Sequence, residues 1–432
     1  MYIADCLSIN NNGHLAIDGV DTVTLAERFG TPLYCMSEAE IKRACRSFTA
    51  GLERNYDKNA MAVFASKALN CKELLRIVMS EGMGVDVVSG GELFTAKSVG
   101  FPCEKIIFHG NNKTTSELID AIEYRVGIIV VDNIFELETL NKLCEARNVT
   151  QDIMFRIKPG VEAHTHKFIM TGGIDSKFGF ALENGEADEA IKTALKYKNL
   201  NLVGLHCHIG SQIFEAEPFC EAAKIMLRVI KKSNDEYGAN ITKLNLGGGF
   251  AIKYIPENIF SPVGDMLDAV ATAVKDECKK LEMSVPYIIV EPGRSIVGSA
   301  GITLYTVGGV KTIEGVRTYV SIDGGMPDNP RYALYGSEYT ALIANKAREK
   351  ADMKVTIAGK CCESGDLIQE NANIQSCSAG DIMAVLATGA YNYSMASNYN
   401  RIPRPEMIMI KNKEPVTIIK RESYEDITKN DI

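Results

Sequence analysis

The chain has 432 residues, of which 46% are hydrophobic and 24% charged, and its formal net charge at pH 7 is -8. This length exceeds one barrel or sandwich, so we expect two domains. Lysine and arginine are dispersed, which argues against nucleic acid or an anionic membrane as the main partner. No apolar stretch has the length of a spanning helix and the start lacks a signal-peptide pattern, which predicts a cytoplasmic protein. Most of its twelve cysteines are then expected to be reduced.

The first part of the chain predicts short strands and a turn around residues 9–16, followed by a leading helix. We expect residues 1–30 to pair with the C-terminal sheet. Ser37 ahead of Glu40 is typical of a helix N-terminus, because the serine hydroxyl can accept a bond from a backbone N–H three residues on.

The middle of the chain alternates short apolar runs with segments of helical period. The runs are residues 60–65, 83–87, 105–108, 127–131, 153–157, 202–207, 242–246 and 286–290. Ser89 ahead of Glu92 and Thr114 ahead of Glu117 are further helix N-caps. Eight strands alternating with helices predict a parallel (β/α)8 TIM-like barrel, whose chemistry lies on the loops after the C-terminal strand ends.

Beyond residue 301 the pattern changes to short strands with few long helical periods. The predicted strands are residues 303–307, 318–322, 354–358, 382–386, 407–410 and 417–419, and one helix is predicted over 338–350. We therefore expect an α/β protein with a barrel over residues 31–300. A second, β-rich domain of sandwich or barrel type would comprise residues 1–30 and 301–432.

Three motifs follow the barrel strands. Lys67 follows the first run. Desolvation at such a position favours a neutral amine that can attack an aldehyde. Taken by itself, Lys67 is more simply explained as a solvated lysine at a strand end. Glycine-hinged segments at 247–249 and 291–294 follow the seventh and eighth runs. Backbone N–H groups of such loops hold phosphate because no side chain blocks close approach. Together these motifs predict pyridoxal phosphate as the cofactor.

Histidines offer a competing interpretation as metal ligands. His206 and His208 flank Cys207 and would share one face of a strand, and His164 with His166 repeats the spacing. Carboxylate ligands at the other strand ends are poorly supplied, so we predict no metal. His206 and His166 are more simply explained as hydrogen-bonded structural residues, whereas His208 beside a Gly-Ser loop can lie flat against an aromatic cofactor ring.

These motifs together resemble the alanine-racemase-like, fold type III, pyridoxal phosphate decarboxylases over nearly the whole chain, from Pro32 to Tyr391. Within that family the resemblance is to the branch that converts meso-2,6-diaminopimelate to L-lysine and CO2, the last step of lysine biosynthesis. It implies a head-to-tail homodimer with active sites shared between subunits.

The resemblance also implies a set of cofactor residues. These are Lys67, Asp86, His208, Ser211, Gly247, Gly248, Gly249, Glu291, Pro292, Gly293, Arg294 and Tyr391. Lys67 would bind the cofactor covalently with Asp86 supporting the site around it. His208 would stack on the ring and Glu291 would contact the pyridine nitrogen. Ser211, the glycines, Arg294 and Tyr391 would hold the phosphate.

At the substrate end, the resemblance implies that Arg331 and Tyr335 clamp the distal carboxylate, with Arg294 and Tyr391 also near the substrate. Glu363 would receive the distal amino group. Cys362 would be the proton donor, delivered from the partner subunit. The planar fork of an arginine suits a carboxylate because it makes two charge-assisted bonds.

Two departures from the family pattern lie near the distal end of the substrate. Lys360 stands where relatives usually have proline, and Ser337 lies in a segment where a histidine is common. A related decarboxylase acting on ornithine, lysine, arginine or carboxynorspermidine would share every cofactor residue. A non-catalytic, decarboxylase-derived regulatory protein is the other alternative, although such proteins tend to lose the lysine, the phosphate loops or the cysteine.

Overall fold

A computed structural model describes residues 4–161 and 176–432. The chain divides into two compact units. The barrel unit comprises Cys45–Ala251 and Phe260–Gly293, and the sheet unit comprises Met1–Ala44, Ile252–Ile259 and Arg294–Ile432. His164 and His166, proposed above as a second histidine pair, lie outside the described residues. None of the helices within those described ranges is both long and apolar enough to cross a bilayer.

The sheet unit begins with a small sheet of its own. It consists of β1 (Leu7–Ile9), β2 (Leu15–Ile17) and β3 (Val20–Asp21), all antiparallel. The predicted pairing of residues 1–30 with the C-terminal sheet is therefore wrong. The turn at Gly13, with φ at +82°, folds β1 back onto β2, so local pairing uses their backbone groups. Their apolar side chains still pack into the core of this unit.

Three elements continue the chain, namely α1 (Thr22–Phe29), β4 (Leu33–Ser37) and α2 (Glu38–Tyr56). Ser37 caps α2 as predicted, because its Oγ accepts a bond from the Glu40 N–H at 3.0 Å.

The described part of the barrel unit contains nine strands. They are β5 (Ala60–Ala65), β6 (Gly84–Val87), β7 (Ile106–Phe108), β8 (Ile128–Val131), β9 (Gln151–Lys158), β10 (Phe180–Ala181), β11 (Leu200–His206), β12 (Lys243–Asn245) and β13 (Tyr287–Val290). All except β10 form a closed parallel ring in which β13 pairs with β5 and β8 with β9, while β10 adds to β9. All eight predicted barrel strands are confirmed, with boundary shifts of at most two residues. The TIM-like barrel is confirmed with them.

Seven helices within residues 4–161 and 176–432 connect these strands. They are α3 (Lys72–Ser80), α4 (Gly90–Ser98), α5 (Thr115–Glu123), α6 (Ile134–Arg147), α7 (Glu186–Ala194), α8 (Glu217–Tyr237) and α9 (Val263–Lys280). The predicted caps are confirmed: Ser89 accepts from the Glu92 N–H, and Thr114 forms a reciprocal capping box with Glu117. Because all ring strands are parallel, their C-terminal ends share one rim, where the functional side chains of the barrel unit collect.

The sheet unit resumes with α10 and a mixed sheet. Its elements are α10 (Arg294–Val297), β14 (Gly301–Ile313), β15 (Arg317–Ile322), α11 (Arg331–Tyr335), β16 (Ala341–Ile343), β17 (Met353–Ala358), β18 (Leu367–Ile374), β19 (Ile382–Leu386), β20 (Glu406–Lys411), β21 (Glu414–Ile419) and α12 (Tyr424–Thr428). The order is β18-β17-β15-β14-β4-β20-β21, with β19 pairing β14 and β16. The six predicted strands and the β-rich character of this unit are confirmed.

Two features of this sheet differ from the prediction. The helix over residues 338–350 is wrong, because β16 buries all three of its residues by pairing with β19, and only a 3-10 turn (Ala344–Lys346) follows. Pairing in the sheet outweighs the local helical preference. The strand β18 was not predicted, since polar residues interrupt its alternation and Asn371 has φ at +55°.

Candidate active site

Lys67 lies just beyond the end of β5, on a 3-10 turn (Ser66–Ala68). Its neighbours Ser66 and Ala68 are buried, whereas the Lys67 side chain is exposed. The expected desolvation of this lysine is therefore wrong for the chain by itself, because the turn directs Lys67 outward from the strand end. Its positive charge still acts on Asp86 and Glu92, whose pKa values it lowers in part. Lys67 is thus an accessible amine facing carboxyl groups.

Asp86 lies in β6, next to the end of the strand, and is buried. Burial raises the pKa of this carboxyl, and the positive charges of His109 and Lys67 offset only part of that effect. Among the described residues, Asp86 Oδ1 has no hydrogen-bond partner. A buried acceptor of this kind is suited to a donor from a bound molecule.

Glu291 follows β13 directly and is surrounded by three side chains. Its Oε1 lies 2.6 Å from both Asn245 Nδ2 and His109 Nε2, and its Oε2 lies 3.2 Å from His206 Nε2. Burial would raise the pKa of Glu291, but the two imidazoles and their hydrogen bonds hold it well below its usual range. The barrel rim therefore presents a buried carboxylate that stays charged.

His109, His206 and Glu291 are the one set among the described residues whose ligand atoms could hold a metal, and these atoms lie within 4.8 Å of one another. The distances from Glu291 to His109 and His206 are those of hydrogen bonds, so a proton occupies the space between each nitrogen and oxygen. A nitrogen that donates its proton to a carboxylate has no lone pair there for a metal. The two histidines therefore hold the Glu291 carboxylate by hydrogen bonds.

His208 lies beyond β11 and is half-buried. Its Nδ1 accepts a hydrogen bond from the Gly248 N–H at 3.3 Å. Burial, with the positive charges of Lys67 and Arg156, holds the pKa of His208 well below its usual range. The ring is therefore neutral with its proton on Nε2, and Gly248 fixes its orientation.

The glycine triplet is required by close contact between neighbouring loops. A Cβ on Gly247, Gly248 or Gly249 would lie 2.5, 2.1 or 2.4 Å from the carbonyl oxygens of Cys207, Glu291 and Gly210, respectively. Gly247 and Gly249 also have φ at +67° and +113°, which favour glycine. Only backbone can occupy this part of the rim, as phosphate binding through N–H groups requires.

The loop after β13 joins the first strand in the same way. The Ala65 N–H donates to the Pro292 carbonyl at 3.0 Å, and a Cβ on Gly293 would lie 3.0 Å from Ala65. Ser211 belongs to the neighbouring loop that contains Gly210. A lysine, a charged carboxylate, a neutral imidazole and glycine loops thus meet on one rim. This donor set fits the aldehyde, ring nitrogen, ring face and phosphate of pyridoxal phosphate.

In the sheet unit, Arg294 and Tyr391 are close neighbours. The Arg294 guanidinium lies 4.8 Å from the Tyr391 ring centroid, and its Nη1 donates to Tyr254 Oη at 2.5 Å. Burial lowers the pKa of Arg294, but the two phenols more than offset that effect, so the arginine stays charged. Tyr391 has φ at +64°, an uncommon conformation for a side chain of this size. Position 389, two residues earlier, requires glycine because a Cβ there would lie 1.9 Å from the Val297 carbonyl oxygen.

Arg331 joins this cluster from the first position of α11. It is 8% exposed, and its guanidinium lies 5.3 Å from the Tyr335 ring centroid and 5.4 Å from that of Tyr391. Its Nη2 donates to Ser337 Oγ at 3.3 Å. Within the described part of the chain its Nε has no hydrogen-bond partner and it pairs with no carboxylate. A buried guanidinium of this kind attracts an anionic group.

Cys362 and Glu363 are placed differently. Both are exposed on the loop after β17, where the Cys362 N–H donates to Asn400 Oδ1 at 2.8 Å. Asp366 fixes the loop by accepting from the Cys361 N–H at 2.7 Å. No hydrogen bond or ion pair within residues 4–161 and 176–432 joins Cys362 or Glu363 to the Arg331 cluster.

The model for the "Pyridoxal-dependent decarboxylase, pyridoxal binding domain" matches residues 38–298, more than half of the chain. This chain belongs to the pyridoxal-dependent decarboxylase family. Pyridoxal phosphate is therefore its cofactor, and the enzyme is a carboxy-lyase, as the sequence motifs predict.

Similar proteins extend over the whole length of this decarboxylase. It is 47% identical to the diaminopimelate decarboxylase of Bacillus subtilis (strain 168), covering 100% of this chain and 98% of that protein. It is 37% identical to the M. jannaschii diaminopimelate decarboxylase solved with L-lysine, with a TM-score of 0.93 and coverage of 100% and 99%. The Helicobacter pylori diaminopimelate decarboxylase solved with L-lysine is 28% identical, with a TM-score of 0.86 and coverage of 95% and 98%.

Sequence reasoning did not identify three residues that hold Glu291. His109 and Asn245 were not predicted to act at the site, and His206 was interpreted as a hydrogen-bonded structural residue without a known partner. Each lies at or just after a C-terminal strand end, and each is nearly fully buried. A polar residue at that position in an otherwise apolar run is the available indication, since burial there requires a polar partner.

Proposed function

We propose that this decarboxylase removes CO2 from meso-2,6-diaminopimelate to give L-lysine, the last step of lysine biosynthesis. The observation that carries the choice of substrate is the buried Arg331 guanidinium, which lacks a carboxylate partner among the described residues. A substrate with a distal carboxylate would supply that partner. The full-length likeness to diaminopimelate decarboxylases supports the same choice.

Bound pyridoxal phosphate withdraws the electron pair left on the α-carbon when CO2 departs, provided that its ring nitrogen keeps a proton. We assign Lys67 as the covalent attachment point. Glu291 favours a protonated ring nitrogen because its carboxylate stays charged despite burial. Asp86 supports the site near Lys67, on which it acts electrostatically.

The phosphate and the ring face are assigned to the remaining cofactor residues. His208, neutral and fixed by Gly248, presents an aromatic face for stacking. The phosphate is assigned to Ser211, Gly247, Gly248, Gly249, Gly293, Arg294 and Tyr391, and Pro292 is assigned to the cofactor site beside Gly293. Arg294 contributes a permanent positive charge because its phenol neighbours favour the charged form.

The distal end of the substrate is assigned to Arg331 and Tyr335, with Arg294 and Tyr391 nearby. The planar fork of Arg331 would make two bonds to the distal carboxylate, and Glu363 would receive the distal ammonium. Ser337, which stands in a segment where relatives often have histidine, keeps one Arg331 nitrogen in place.

The proton that replaces CO2 is assigned to the Cys362 thiol. Cys362 and Glu363 are exposed in one chain, which is consistent with their acting in the site of a second subunit. We therefore infer a homodimer with shared active sites. We also propose a cytoplasmic location for the enzyme.

The test is CO2 release from purified holoenzyme given meso-diaminopimelate, L-lysine, ornithine, arginine or carboxynorspermidine separately. We expect meso-diaminopimelate to exceed every other substrate in kcat/KM by about a hundredfold or more, because each of the others has only the carboxylate that departs as CO2 and leaves Arg331 without a carboxylate partner. A higher kcat/KM for any of the others would transfer the chain to another branch of the family. No CO2 from any of the five would support a non-catalytic binding protein.

A further inference from the structure

The Glu291 carboxylate is held by hydrogen bonds from three directions that leave one direction open. A carboxylate has about four acceptor positions, two on each oxygen. Oε1 uses both of its positions, for His109 and Asn245, while Oε2 uses one, for His206. The remaining position is therefore on Oε2.

The donor role of Asn245 is fixed by the phosphate loop. Its Oδ1 accepts from the Gly247 N–H at 2.9 Å, so its amide nitrogen must be the group that faces Glu291. Asn245 thus connects the glycine loop to the carboxylate. The backbone of Glu291 is joined to the same loop, because its N–H donates to the Gly247 carbonyl at 2.7 Å.

The donor role of His206 follows from burial. Its Nδ1 is buried without a hydrogen-bond partner in the described part of the chain, so a proton there would have no acceptor. The neutral ring therefore carries its one proton on Nε2, toward Glu291. Burial lowers the pKa of His206 to about 4, in agreement with a neutral ring.

Of the two histidines, His109 lies closer to the Glu291 carboxylate, at 2.6 Å against 3.2 Å for His206. It is 4% exposed, and its ring meets that of His206 edge to face with centroids 4.7 Å apart. Burial lowers its pKa, but the charges of Glu291 and Asp86 more than compensate, so the net direction is upward. His109 therefore opposes the loss of charge from Glu291 as well as fixing its position.

We propose that His109, His206 and Asn245 are positioning residues that orient Glu291 so that its single open acceptor, on Oε2, selects a cofactor with a ring N–H. Their contribution would be specific to that nitrogen. A merely structural role in the barrel rim would affect the binding of any ligand of the same shape. This inference rests on the family's cofactor and on the proposed contact of Glu291 with its ring nitrogen, and on none of the substrate assignments above.

The test compares pyridoxal phosphate with its deaza analogue, in which C–H replaces the ring nitrogen. Full-length protein freed of cofactor is titrated with each by calorimetry, and the ratio of the two dissociation constants is the readout. We expect wild type to favour pyridoxal phosphate by at least about tenfold, the equivalent of about 1.4 kcal/mol. His109→Leu should lower this ratio by about tenfold, and His109→Gln, which keeps a donor near Nε2, should restore most of it.

Gly293→Ala is the matched control, because it should weaken both ligands equally and leave the ratio unchanged. A His109→Leu ratio equal to that of wild type would overturn the proposal, as would a wild-type ratio near one. If His109→Leu fails to fold by circular dichroism, His206→Leu is measured against the same two limits. Turnover of meso-diaminopimelate by wild type is measured separately, so failure of the substrate assignment cannot be mistaken for failure of this one.

Discussion

Replacing Arg331 with methionine should remove recognition of the distal carboxylate without disturbing the cofactor. Methionine fills a similar volume beside Tyr335 and Tyr391, and the only hydrogen bond lost within the described chain is the one to Ser337 Oγ. Two charge-assisted bonds to the substrate would be lost, each contributing about 1.5 kcal/mol or more. The sum of about 3 kcal/mol predicts a fall of about a hundredfold in kcat/KM for meso-diaminopimelate.

The assay is CO2 release over a range of meso-diaminopimelate concentrations, together with the absorbance of the bound cofactor. Arg331→Lys keeps the charge but loses the planar fork, so we expect an intermediate loss. Arg317→Met is the matched control, because Arg317 pairs with Glu370 at 2.7 Å and lies half-exposed in the same unit. It should leave kcat/KM unchanged.

Two results would refute the reasoning about Arg331. One is kcat/KM for Arg331→Met within a few-fold of wild type, which would mean that the distal carboxylate is bound elsewhere. The other is a loss of cofactor absorbance in parallel with activity, which would mean that Arg331 supports the cofactor instead of the substrate.

Three further predictions concern assembly and stability. The Lys67→Ala and Cys362→Ala proteins should each be inactive. When they are mixed and subunit exchange is confirmed, half of the dimers are mixed and each of these has one intact site of two, so up to about a quarter of wild-type activity should return. No recovery would contradict a shared site. Lys113→Met should lower the free energy of unfolding in urea by about 3–5 kcal/mol, because it removes the ammonium that lies 2.7 Å from the buried Glu136 carboxylate. The Asp132 N–H, 3.3 Å from Glu136 Oε2, does not replace that counter-charge. Adding Glu136→Leu should recover much of the loss. Burial raises the pKa of Glu422, but its arginine partner and other hydrogen bonds lower it to about 2. The stability that Glu422 contributes is therefore present above its unfolded pKa and is lost as pH falls through about 2. Between pH 6 and pH 3 the free energy of unfolding should fall by about 1 kcal/mol more in wild type than in Glu422→Gln, and equal losses would exclude this pair as the cause.

The barrel was predictable because its strands are short apolar runs separated by helices of clear period. The rim chemistry was predictable for the same reason, since a closed parallel ring brings every strand end to one side. Lys67, Glu291 and the glycine triplet could therefore be placed on a common rim before any distance was known. The residue-level roles of these side chains stay predictions that the proposed experiments test.

The sequence was less informative where tertiary contacts decide. Ala341–Ile343 has a helical context, yet pairing with β19 makes it a strand. The hydrogen bonds of Glu291 to His109 and Asn245 join residues from three different strand ends, so no local pattern identifies them. The exposure of Lys67 likewise depends on the turn after β5, which the apolar run before it does not specify.

The covalent attachment of the cofactor to Lys67 can be located by mass spectrometry. Holoenzyme is reduced with borohydride, digested, and searched by mass spectrometry for the lysine that carries the phosphopyridoxyl group. The account predicts that this group lies on Lys67 and is absent from Lys67→Ala protein. A wild-type yield of the adduct on another lysine, such as Lys113 or Lys158, would contradict it.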